Sequence, residues 1–69
     1  MIKALRKSIG KTIKVKLNWG SSGFVKVSVI QPLEEDYESY MCRVEQDQDE
    51  FKAGSLIEVS QSNLLALEP

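Results

Sequence analysis

The chain has no histidine and a single cysteine, Cys42. Acid–base chemistry would fall to carboxylates, lysines and tyrosines, and most of the carboxylates gather in segments that read as solvated loops. One 69-residue domain is a poor setting for a pocket that perturbs such pKa values, so an enzyme is not expected. Cys42 has no histidine to activate it and no second cysteine to share a zinc ion. It reads as a small buried hydrophobe. Asp47, Asp49 and Glu50 approach the spacing of a calcium loop, but the third ligand, the turn glycine and the terminal glutamate are absent. No metal and no cofactor is expected.

Charge is the chemistry that remains, and it is strongly segregated. Lys3, Arg6, Lys7, Lys11, Lys14, Lys16 and Lys26 all precede residue 34, and no carboxylate does. The rest of the chain carries ten acidic residues against Arg43 and Lys52, which leaves a net charge of −1. A domain this small must present one basic and one acidic surface, or interleave them. The first case suits a polyanion or a second copy of the chain. Lys3, Arg6, Lys7 and Lys11 form a basic face able to hold phosphates, each contact adding salt-dependent affinity. The plain alternative is a solvated helix face. Lys14 and Lys16 could extend a phosphate track, or guard a strand edge against unwanted pairing. Glu34, Glu35, Asp36 and Glu38, with Asp47, Asp49 and Glu50, offer an acidic face to a basic protein. Among the rings Trp19, Phe24, Tyr37 and Tyr40, Tyr40 is the candidate for stacking on a base. Inward parity on its strand would instead place it in the core, and Trp19 reads as a lid over that core.

The elements that carry these residues follow from periodicity. Ile2, Leu5 and Ile9 share one face of a short helix over residues 2–9, ended by Gly10. Thr12–Trp19 then alternates, with Ile13, Val15, Leu17 and Trp19 on one side. Asn18–Gly23 reads as a hairpin loop, and Phe24–Ile30 as a second strand that Pro32 ends or bends. A third strand, Tyr37–Glu45, sets Tyr40, Cys42 and Val44 inward. Ser55–Ser60 and Asn63–Leu67 complete five strands with short connections. The fold expected is mainly β: a small, strongly bent antiparallel barrel with a short N-terminal helix, in one domain spanning 1–69. No apolar run nears the ~20 residues a membrane span needs. The lone cysteine and the missing signal peptide point to a reducing cytoplasm.

In element order, about residues 5–69 resemble the Sm-like RNA-binding fold, including the C-terminal barrel of the bacterial ribosome-maturation factor. The resemblance rests on the run Gly10-Lys11-Thr12-Ile13-Lys14-Val15-Lys16-Leu17. A glycine-bearing hairpin follows, and Ile57-Glu58-Val59 leads to Asn63-Leu64-Leu65-Ala66-Leu67-Glu68-Pro69. A plain SH3-like barrel reads almost the same apart from the helix. The resemblance implies a non-enzymatic module that associates with RNA and can form a ring of copies. The family's base pocket maps onto Tyr40 as stacking residue, with Cys42 where an asparagine belongs and Ser60-Gln61 where an Arg-Gly pair belongs. The expected function is therefore backbone-led RNA binding through Lys3, Arg6, Lys7 and Lys11, with Tyr40 as a stacking ring. The alternative is an SH3-like protein-interaction or inhibitory module that uses the acidic loops 34–38 and 47–50.

Overall fold

The computed structural model describes residues 4–33 and 38–69. Five antiparallel strands form one sheet: β1 (Thr12–Leu17), β2 (Phe24–Pro32), β3 (Ser39–Val44), β4 (Leu56–Ser60) and β5 (Leu64–Glu68), in the order β4-β3-β2-β1-β5. The alternation along β1, β2 and β3 falls as the sequence predicts. Ile13, Val15, Leu17, Val25, Val27, Val29, Tyr40, Cys42 and Val44 are all buried. Val59 of β4 and Leu64 of β5 belong to the same core cluster, although these strands are the two edges of the sheet. Only a strongly curled sheet can gather both edges around one core. Among the described residues no ladder joins β4 to β5, so the ring of hydrogen bonds is open. The tight turn between them, in which Asn63 N donates to Ser60 O at 3.0 Å, carries the chain from one edge to the other.

The helix ends two residues earlier than the apolar spacing predicts, at Lys7. In α1, Ala4–Lys7, Leu5 enters the core with no measurable exposure. The chain leaves the helix because Gly10 adopts φ +83° and donates its N–H to Val29 O at 2.8 Å. That bond recruits the segment to the sheet and turns Ile9 out to solvent, against its predicted inward face. Ile2 and Lys3 lie outside the described residues.

Two irregularities set which side chains reach solvent. Between Val29 and Gln31 the β2–β3 register shifts; Ile30 faces out, as alternation from Val29 requires, and β2 runs on to Pro32, opposite Tyr40. Proline is tolerated there because it is the last residue of the strand. Between Lys16 and Leu17 the β1–β5 register also shifts, which turns Leu64 and Leu67 toward the core and leaves Leu65 outside.

Candidate functional site

The basic half of the sequence does not make a uniformly basic surface. β1 lies between β2 and β5, so Lys14 and Lys16 are not the edge guards that the sequence suggested. Lys14 sits opposite Lys26 on β2 and opposite Glu68 on β5. Beside them, Glu45 Oε2 accepts from Ser28 Oγ at 2.7 Å and from Arg43 Nε at 3.0 Å. Thr12 and Ser28 hydroxyls share a further bond of 2.9 Å. The Ser28 hydroxyl first, and Arg43 second, hold the Glu45 carboxyl below its ordinary range. The outer face of the sheet thus interleaves the two signs of charge.

Of the predicted phosphate-binding residues, Arg6, Lys7 and Lys11 are exposed around the end of α1 and the entrance to β1. Tyr40 is corrected. Its ring is fully buried, because β3 pairs with β2 and β4 on either side and its parity directs Tyr40, Cys42 and Val44 into the core. A buried ring offers no face to a base. Cys42 is also inaccessible, and burial pushes its thiol up to about 12. Among the acidic candidates, Glu34, Glu35 and Asp36 lie outside the described residues, and Glu38 is exposed. Asp47 and Asp49 are structural. Asp47 Oδ1 accepts from the backbone of Ala53 at 2.8 Å, and Asp49 Oδ2 accepts from Ser21 Oγ at 2.7 Å. Among the described residues, no group of three or more metal-ligating side chains is present.

A groove lies at the far end of β1, where two loops lock together. Gln48 and Phe51 exchange backbone hydrogen bonds of 2.9 and 2.8 Å around a turn in which Asp49 takes φ 52°. Glu50 N donates to Gly20 O at 3.1 Å, and Gln48 Nε2 donates to Ser21 Oγ at 3.4 Å. Phe51 is driven into the core, and Trp19 meets its ring edge-on at 4.9 Å between centroids and 67° between planes. Trp19 is therefore a lid, as its sequence position suggests, yet it is 42% exposed. Its open face lies in a shallow groove that Leu65, Lys16, Asn18, Asp49 and Glu50 also line. Leu65, expelled by the β5 bulge, is 57% exposed.

The sequence reading had no place for Phe51 or Leu65. The available signal for Phe51 was an aromatic residue directly after the polar run Gln46–Glu50, which suits a turn that plugs back into a core. For Leu65 there is no local signal, since a bulge is invisible in a strand whose residues 64–67 are all apolar. What the arrangement can do is hold a partner between an indole, an exposed leucine and two carboxylates. In comparisons with protein-family models, curated proteins and solved structures, nothing matches this chain.

Proposed function

We propose that the chain is a non-enzymatic protein-interaction module whose groove at Trp19 takes a segment bearing basic and apolar side chains. One observation carries this reading: an indole 42% exposed, propped edge-on against buried Phe51, in a groove shared with exposed Leu65 and the carboxylates of Asp49 and Glu50. Exposed aromatic surface held rigidly by the fold contributes contact area at small conformational cost. The two carboxylates select cations over anions, since Lys16 offsets only one of them. This narrows the acidic-face reading to the loop 47–50. Nothing in this site needs a nucleophile or a general base.

Trp19 is the only tryptophan in the chain, so its fluorescence reports on this groove alone. Titration with a short peptide alternating lysine and leucine should shift the emission to the blue and saturate. Trp19→Ala and Glu50→Lys should each weaken binding, by peptide calorimetry, at least tenfold. An emission spectrum unmoved at about 1 mM peptide, the weak end of specific affinities, would overturn the reading.

A second reading is favoured by a different observation: Arg6 and Lys7 at the end of α1 and Lys11 at the entrance to β1 are all exposed, at the opposite end of β1 from the groove. An Sm-like association with RNA would use these side chains on the phosphate backbone, without the Tyr40 stack. Labelled oligo-U and oligo-A at low salt test it. Binding that falls steeply with salt and is lost in Lys7→Glu/Lys11→Glu supports this reading, and no binding at about 50 mM salt ends it.

A further inference from the structure

The groove has a complement on the same molecule. Lys7 at the end of α1, Ile9 in the turn that follows and Lys11 at the entrance to β1 are all exposed. Two cations around one aliphatic side chain match in kind what the groove presents: Trp19 and Leu65 as apolar surface, and Asp49 and Glu50 as carboxylates. We infer that the occupant of the Trp19 groove is the 7–11 segment of a second copy of this chain, giving head-to-tail self-association. The inference rests on the protein-interaction reading of that groove and names its partner.

Intramolecular docking is blocked by geometry. Gly10 N on Val29 O and Lys11 N on Ser8 O fix the segment at the entrance to β1. The groove begins at Lys16, near the exit of that strand. Six residues of β-strand span about 20 Å, at ~3.3 Å per residue. The molecule itself measures 29 × 21 × 19 Å, so the two surfaces lie toward opposite ends of it. A chain that cannot fill its own groove can fill that of a neighbour. The contact is heterologous, because segment meets groove and not segment meets segment. Each copy in a chain of contacts keeps one segment and one groove for the next.

Such a contact is small, at the low end of interface sizes, and the side chains that face each other are exposed. Self-association is therefore weak, concentration-dependent and screened by salt. The bulge that expels Leu65 and the kink at Gly10 that expels Ile9 acquire a common role, since each places one aliphatic side chain in the contact.

The test uses two variants of the full chain. Glu50→Lys/Leu65→Lys blocks the groove and leaves the 7–11 segment intact. Lys7→Glu/Lys11→Glu blocks the segment and leaves the groove intact. All four positions are exposed, and circular dichroism melts verify that both variants fold. Light scattering on the wild-type chain at about 1 mM and low ionic strength should give a mass above the 7.8 kDa monomer, returning to it in high salt. Each variant alone should stay monomeric. Mixed in equal amounts, they should form a heterodimer and nothing larger, because one good segment and one good groove allow a single contact. A monomeric wild-type chain, a mixture that stays monomeric, or a single variant that still assembles would each overturn the inference. Peptide titration of Trp19 separates this from failure of the groove itself. A chain that binds the lysine–leucine peptide but stays monomeric retains the protein-interaction reading and loses the self-partner.

Discussion

Gly20 and Phe51 occupy interlocking positions: the ring of Phe51 fills the space that a β-carbon on Gly20 would need. Gly20 also sits at φ +80°, a backbone region that side chains disfavour. Its carbonyl accepts from Glu50 N, so the residue that makes room for the ring also ties down the loop carrying it. The shape of the groove follows from this contact, because Phe51 is the ring on which Trp19 rests.

Gly20→Ala should therefore cost both the strain of positive φ, about 1–2 kcal/mol, and the displacement of Phe51, a further ~1–3 kcal/mol of overpacking. Urea unfolding measures the sum. In a Phe51→Ala background the steric part should vanish and only the backbone part remain, so the double-mutant cycle should show strong coupling. Additive costs would mean that the ring does not hold the loop as described.

Cys42 is fully buried, and burial raises its thiol to about 12. The nucleophile is the thiolate, so alkylation at neutral pH should be blocked by access and by protonation together. Iodoacetamide labelling followed by mass spectrometry should be slow in the native chain and fast in denaturant. Destabilising variants such as Gly20→Ala should speed native labelling in proportion to the population they unfold.

How far the sequence could be read depended on whether each feature is local. The inward parity of Val15, Val27 and Cys42 was legible, because side-chain direction alternates with every residue and needs no knowledge of neighbours. Tyr40 could be read two ways, as platform or as core, and only the pairing of β3 with strands on both sides decides for the core. The groove was nearly illegible. Trp19, Phe51 and Leu65 come from three separate segments, and Leu65 faces out only through a register shift. The charge segregation was plain in sequence, yet antiparallel pairing sets Lys14 beside Glu68 and mixes the signs.

Glu45 should lend the fold a dependence on acid. Its carboxyl is held below the ordinary value of 4.5 by Ser28 first and Arg43 second, so the folded state favours the charged form. The stability this provides is present above the unfolded-state pKa and is lost as pH falls through the lower folded one. NMR titration of the Glu45 carboxyl should give a pKa below that of an exposed glutamate. Ser28→Ala and Arg43→Gln should each move it up. In Glu45→Gln, the part of the acid-induced loss of stability below about pH 4.5 that belongs to this carboxyl should disappear.

The bulge in β5 makes the sharpest contrast between neighbours. Leu64 is 7% exposed and packs in the core, whereas Leu65 is 57% exposed and lines the groove. Leu64→Ala should leave a cavity and cost about 2–5 kcal/mol. Leu65→Ala should change stability by no more than ~0.5 kcal/mol, as surface substitutions do, while weakening peptide binding at Trp19. A strand without the bulge would reverse the pattern, since alternation from Leu67 would put Leu65 inside and Leu64 outside. Denaturant midpoints for the two single variants, with peptide titrations alongside, therefore read the register and the groove in one experiment. Equal losses of stability would remove the bulge, and with it the apolar floor of the proposed site.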